Sequence, residues 1–139
     1  METEYAGELE LLGEAECLAL LTAHDVGRVA MIVDGQPVIY PVNYVVDKNS
    51  IVFRTNWPIL AHASLALLAF QIDSVDVGRQ SGWSLMVQGM GHDITDALDS
   101  ASEHLQAVPV SPWVPGPQPR LLRLIPWTIS GHRFRGHQA

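Results

Sequence analysis

The chain has 139 residues, of which 47% are hydrophobic and 17% are charged, and these values predict one globular domain with a buried core. We expect this single domain to span residues 1–139, with flexible ends at 1–7 and 136–139. Fifteen acidic residues against eight basic ones give a formal net charge of -7, which argues against the electropositive surface that nucleic-acid binding requires.

The N-terminal half begins with a predicted helix and continues as strands. Strong helix formers fill residues 8–23 with apolar residues at helical spacing, and Gly13 divides this helix into a short turn and a longer piece. Short β-rich runs follow, separated by Asp34-Gly35 and by residues 47–50. This pattern predicts an antiparallel meander whose Asp-Gly turn is type I′, since that turn needs positive φ at both central positions.

The second strand of this meander contains two prolines. Pro37 and Pro41 cannot donate ladder hydrogen bonds, so their strand should lie at a sheet edge or carry a bulge. The remaining elements predicted are a helix over 58–68, strands over 69–73 and 82–94, a short helix over 96–107, a stiff Pro-rich loop over 108–119, and one or two strands over 120–135. The chain is therefore mainly β (α+β), with about six antiparallel strands, an N-terminal helix and one or two further short helices.

Common catalytic and ligand-binding motifs are absent from the sequence. No phosphate-binding glycine loop, dinucleotide fingerprint or serine nucleophile elbow occurs, and the six histidines lack the spacing that organises zinc. We therefore predict no metal site and assign no catalytic acid or base. Cys17, the only cysteine, excludes an intramolecular disulfide, and its helical apolar context indicates a buried, inert thiol. Without a leader or spanning segment, the expected location is the cytoplasm.

Charge is unevenly distributed along the chain. Residues 1–25 carry seven acidic and no basic residues, whereas residues 120–139 carry four arginines and no acidic residue. We expect these ends to attract each other within or between chains.

Polar residues interrupt three apolar strand segments, 40–44, 53–56 and 81–84, and these segments carry a family resemblance. The run GRVAMIVDGQPVIYPVNYVVDKNSIVFRT, a following helix, an F-x-x-D strand, GWS-x-x-V-x-G and a late R-x-x-P-x-x-x-x-G-x-R resemble the pyridoxamine 5′-phosphate oxidase-like flavin-binding proteins. The order and spacing of these five motifs extend over residues 8–135.

The resemblance implies a split β-barrel homodimer that acts on a small-molecule substrate as an oxidoreductase. It implies FMN, or in some relatives a deazaflavin coenzyme, in a groove at the dimer interface. Arg54 and Thr55 match the strand end that contacts the flavin nucleotide in this family, and Asn43 matches the strand position that faces the same groove. Trp83 and Ser84 match the GWS segment, and Trp127 and Arg133 are similar to the positions that reach across to the partner's cofactor. Asn56, next to Thr55, is also predicted to bind the cofactor.

One departure from the family pattern keeps alternatives open. Relatives commonly follow Arg-Thr with a glycine turn and a lysine that holds the phosphate, but here Asn56-Trp57-Pro58 follows instead. Arg54 is then the nearest cation to a phosphate at this strand end. The alternatives to an FMN-dependent oxidoreductase are a deazaflavin-dependent reductase, a non-catalytic flavin or small-ligand binding protein, and a barrel that serves only as an interaction protein. Arg54 could equally pair with an acidic residue, Asn43 could satisfy a bulge, and Trp83 could fill core or interface volume.

Overall fold

The structure is a computed structural model that describes residues 8–136. The described part forms seven strands, two α-helices and one 3₁₀ helix. In chain order these are β1 (Glu8–Leu11), α1 (Glu14–Ala23), β2 (Val26–Val33), β3 (Gln36–Asp47), β4 (Ser50–Thr55), the 3₁₀ helix (Pro58–Ala63), β5 (Leu67–Asp76), β6 (Ser81–Asp93), α2 (Ser100–Gln106) and β7 (Arg120–Arg135).

All seven strands belong to one antiparallel sheet in the order β1-β7-β4-β3-β2-β5-β6, and a further pairing of β6 with β7 closes it into a ring. The seam between β2 and β5 is short, because only residues 28–30 pair with residues 69–71. Beyond this seam the β2–β3 hairpin separates from β5. The fold is a split β-barrel with an N-terminal helix, which confirms the predicted class, although it has seven strands rather than about six.

The additional strand is β1, and the helix predicted over 8–13 is wrong. Residues 8–11 pair with residues 132–135 of β7, and helix α1 begins only after Gly13. Ion pairs join Glu8 to Arg135 and Glu10 to Arg133 across this pairing. The expected attraction between acidic and basic ends therefore occurs within the chain, and pairing with β7 determines the strand conformation of residues 8–11 against their local helix propensity.

Three other segments refine the prediction. The region 58–68 is helical only over Pro58–Ala63 and as a 3₁₀ helix, and Leu65 at φ 58° reverses the chain before β5. Residues 120–135, predicted as one or two strands, form one. Most of the ends predicted to be flexible, residues 1–7 and 137–139, lie outside the described residues. Gly136, the one described residue of these ends, donates its amide hydrogen bond to the Gln80 carbonyl.

The predicted turns and edges agree with the backbone. Asp34 and Gly35 have φ of 51° and 76°, so both central positions of the first hairpin are left-handed, as a type I′ turn requires. Strand β3 lies inside the sheet order, but residues 36–42 pair only with β2. Pro37 and Pro41 fall in this one-sided stretch, which confirms an edge position for them.

The main core fills the barrel. Tyr44 and Phe70 are fully buried and meet edge to face with their ring centroids 4.8 Å apart. The Tyr44 hydroxyl donates to the Leu21 carbonyl at 2.6 Å, which fixes α1 to the barrel, and burial followed by the charge of Asp25 raises the pKa of this phenol. Gly27 must be glycine because a Cβ would lie 2.2 Å from a Phe70 ring carbon.

Helix α1 and α2 cover different parts of the barrel. Cys17 of α1 is fully buried, as predicted, and its pKa is raised by burial and then by Glu16 and Glu14. Helix α2 packs outside the sheet, over a second apolar cluster formed by Val52, Ile94, Leu105, Val110 and Leu121. Within residues 8–136, neither α-helix is long and apolar enough to cross a membrane.

Candidate functional site

The end of β4 brings four of the predicted site residues together. Arg54 lies directly opposite Asn43 of β3, so both side chains project from the same face of the sheet. Val52 is two residues before Arg54 on β4 and belongs to the outer cluster beneath α2, which places Arg54 and Asn43 on the outside of the barrel. Thr55 and Asn56 follow directly, and Thr55 is buried.

The Arg54 guanidinium, half-buried, binds backbone carbonyls. It donates to the Val110 oxygen at 3.2 Å and to the Gln106 oxygen at 3.3 Å. The first lies in the Pro-rich segment 108–119, called the strap below, and the second lies at the C-terminal end of α2. Within the described residues Arg54 forms no ion pair with an acidic residue, so the alternative of an acidic partner does not apply there. A guanidinium has five N–H donors, so these two contacts leave three for another acceptor.

The two asparagines also contact the strap. The Asn43 side-chain oxygen accepts a hydrogen bond from the Trp113 amide at 2.8 Å, and the Asn56 side-chain nitrogen donates to the Val114 carbonyl at 3.0 Å. The remaining Asn56 oxygen is buried without a hydrogen-bond partner. Thr55 differs from its neighbours, since its hydroxyl accepts the Trp57 amide at 3.0 Å and shapes the turn after β4.

A second cation stands beside this site but is neutralised. Arg120 is opposite Thr55 in the β4–β7 pairing, and its Nε donates to Asp93 at 2.8 Å. Burial of Asp93 opposes its charged form, but hydrogen bonds from Thr95 and Arg120 outweigh that effect and lower the pKa of this carboxyl. Asp96, at 3.9 Å, adds a second negative charge. Arg123, opposite Val52, donates its Nε to the Ser50 hydroxyl at 3.1 Å. Among residues 8–136, Arg54 is the arginine nearest the end of β4 that forms no ion pair with a carboxylate.

Trp83, Ser84 and Arg133 lie elsewhere on the barrel. Trp83 and Arg133 are opposite each other on β6 and β7 and line a cleft of about 380 Å³. Trp83 contacts the His24 ring edge to face, with centroids 5.1 Å apart. Arg133 is held by Glu16 at 2.7 Å and by Glu10 at 3.4 Å. Ser84 points to the other face, where its hydroxyl accepts from Gln71 at 3.2 Å.

Trp127 occupies a third location, at the split in the barrel. It is 62% exposed and sits beside the bulge in the β6–β7 pairing, on the wall of an apolar groove of about 450 Å³. Leu121, Trp127 and Arg133 follow one another on β7, with Leu121 opposite Arg54. Six strand residues span about 20 Å, so within one chain Trp127 and Arg133 do not join the Arg54 group.

Sequence reasoning missed the strap contacts and the neutralisation of Arg120. The five prolines of the strap did indicate a stiff covering segment, but they do not specify which side chains it covers. Among residues 8–136, no cluster of three or more His, Cys, Asp or Glu residues could hold a metal ion.

By its fold and surface, this protein is a split β-barrel with a polar group, formed by Asn43, Arg54 and Asn56, at the end of β4 and an apolar groove at the seam between β2 and β5. A family model described as pyridoxamine 5′-phosphate oxidase matches residues 13–133. The chain belongs to this family.

Individual relatives agree with this assignment. The chain is 28% identical over 138 residues to the uncharacterized protein Rv0080 of Mycobacterium tuberculosis, covering 93% of this chain and 88% of that protein. The solved structure of the FAD binding protein from Mycobacterium smegmatis is 29% identical, with a TM-score of 0.73 over 91% of this chain and 98% of that chain. A conserved protein of unknown function from Corynebacterium diphtheriae, at 24% identity and a TM-score of 0.75 over 91% of this chain and 98% of that chain, has the same fold.

Proposed function

We propose that this protein binds a flavin nucleotide at the end of β4, with the 5′-phosphate beside Arg54. The observation that carries the proposal is the convergence of Asn43, Arg54 and Asn56 on one outer face, where no carboxylate of residues 8–136 pairs with Arg54. Charged hydrogen bonds between guanidinium and phosphate are strong and directional. Family membership and the 29% identical FAD binding protein support a flavin as the ligand.

The residues fit this ligand in two respects. Arg54 retains three N–H donors for phosphate oxygens. The unpaired Asn56 oxygen is an acceptor that a ligand hydroxyl or N–H would satisfy. When bound, the flavin would supply the redox chemistry, while these residues bind and orient it.

FMN is the flavin we propose, and the protein is proposed to act as an oxidoreductase on a small molecule. Titration with FMN, FAD, riboflavin and a deazaflavin coenzyme, followed by flavin fluorescence, tests the ligand class. Tight binding of FMN favours the proposal, whereas binding of the deazaflavin alone favours the deazaflavin-dependent reductase. Bleaching of the bound flavin by a reduced nicotinamide then distinguishes a reductase from a non-catalytic binder.

We also propose that the protein is a homodimer with two flavin sites. Ile32, Ile39, Leu67 and Trp127 are each at least 60% exposed around the split of the barrel, and exposed apolar surface of this kind is typical of interfaces. A second copy would also bring its own Trp127 and Arg133 towards the Arg54 site, which one chain does not do. Light scattering with Trp127→Glu tests this: a dimer that becomes monomeric favours it, and a monomeric wild type refutes it.

A further inference from the structure

The strap, residues 108–119, has an unusual mode of attachment. It contains five of the nine prolines, and within the described chain no backbone-to-backbone hydrogen bond holds residues 109–119. Its polar contacts instead come from Asn43, Arg54 and Asn56. The side chains that we assign to the flavin phosphate are therefore the same ones that fasten the strap.

Closure of the strap leaves one buried acceptor unsatisfied. Gly116 packs so closely on Asn56 that a Cβ at position 116 would lie 2.7 Å from three atoms of that side chain. Beneath it, the Asn56 side-chain oxygen is buried and unpaired. A buried unpaired acceptor destabilises the state that contains it, so the closed strap carries a cost that an open strap or a bound ligand would remove.

Only one end of the strap is anchored by apolar burial. Val110 is buried in the cluster beneath α2, whereas residues 111–119 are exposed or half-buried, with Trp113 75% exposed. Prolines restrict the backbone and so keep the segment stiff. The strap can therefore release from Asn43 and Asn56 as a unit, while Val110 stays in place.

We propose that the strap is a displaceable lid that covers Asn43 and Asn56 beside the Arg54 phosphate site and opens when the flavin nucleotide binds. The inference rests on the proposed function. The phosphate accepts hydrogen bonds from the Arg54 donors that the Gln106 and Val110 carbonyls, which stay in place, do not use. Opening of residues 111–119 lets a flavin hydroxyl donate to the orphaned Asn56 oxygen. The strap thus holds the site shut in the absence of a nucleotide and opens when one binds.

Gly116→Ala is the variant that tests the lid, because it changes neither Arg54, Asn43 nor Asn56. The backbone at position 116 is outside the left-handed region, so alanine is tolerated there, but its Cβ displaces the strap from Asn56. The expected result is FMN binding about tenfold tighter than wild type, the effect of removing one competing hydrogen bond of about 1.4 kcal/mol. Gly78→Ala, in an exposed turn where a Cβ meets only an Asp76 oxygen at 3.6 Å, is the matched control and should bind FMN as wild type does.

Hydrogen exchange at the Trp113 amide reports the strap position directly, since this amide donates to Asn43. Saturating FMN should accelerate its exchange in the wild type, and Gly116→Ala should accelerate it without ligand. Bound FMN that slows this exchange or leaves it unchanged overturns the lid, as does Gly116→Ala with fast exchange and unaltered FMN affinity. Failure of every variant to bind any flavin instead refutes the proposed function, and the lid with it.

Discussion

Replacing Arg54 with alanine should lower the stability of the folded protein as well as weaken ligand binding. Hydrogen bonds to a charged group contribute about 1.5–3 kcal/mol each. The two that Arg54 donates, at 3.2 and 3.3 Å, are at the long end of the usual range, and the site is half-buried. We therefore expect a loss of about 2 kcal/mol in the free energy of unfolding.

Urea denaturation followed by far-UV circular dichroism measures this loss. The matched control is Arg28→Ala, an exposed strand arginine whose one side-chain hydrogen bond within residues 8–136, to Gln71, is 3.5 Å long; it should change stability by less than about 0.5 kcal/mol. Arg54→Lys should recover only part of the lost stability, because one ammonium cannot reach both carbonyls with the geometry of the guanidinium fork. If Arg54→Ala proves no less stable than Arg28→Ala, the strap contacts do not contribute to folding and the reasoning fails.

Three further predictions concern the scaffold. Gly27→Ala should cost about 1–3 kcal/mol of stability because its Cβ would lie 2.2 Å from the Phe70 ring, and Phe70→Leu in the same chain should reduce that extra cost, as measured by a double-mutant cycle in urea. The pKa of Asp93 is lowered in the folded protein, so its pairing with Arg120 stabilises the fold above the unfolded pKa of about 3.9, and this stabilisation is lost as the pH falls through the lower folded pKa. The stability advantage of wild type over Asp93→Asn should therefore be full at about pH 6 and shrink below about pH 4. A difference in stability that does not depend on pH would contradict this. Cys17, buried with a raised pKa, should resist iodoacetamide at about pH 8 in the folded protein and react in urea, so rapid alkylation of the native chain would show that α1 opens.

The part of the fold that sequence predicts is the part governed by neighbouring residues. The Asp34-Gly35 turn requires left-handed backbone at both positions, and that requirement is local. Residues 8–11 show the limit of local reasoning. Their leucines and glutamates suit a helix or a strand, and the choice is made by a partner strand at residues 132–135. Such a partner cannot be identified from spacing alone.

In the candidate site, too, sequence predicts some residues but not the contacts they make with distant parts of the chain. The resemblance selected Asn43, Arg54 and Asn56, which the fold does bring together. Their contacts with the strap link positions separated by 56 to 70 residues, so no local pattern could indicate them. Trp127 and Arg133 lie on β7 six and twelve positions after Leu121, the residue opposite Arg54, and their predicted role depends on a second copy of the chain.

Binding of FMN and of riboflavin, which lacks the phosphate, should be compared in wild type and in Arg54→Ala. If the phosphate lies beside Arg54, wild type prefers FMN and Arg54→Ala loses about 1–3 kcal/mol of FMN affinity, as for one charged hydrogen bond, while riboflavin affinity changes much less. Equal FMN affinity in the two proteins would show that the phosphate does not bind at Arg54 and would move its site towards Arg123 or Arg133.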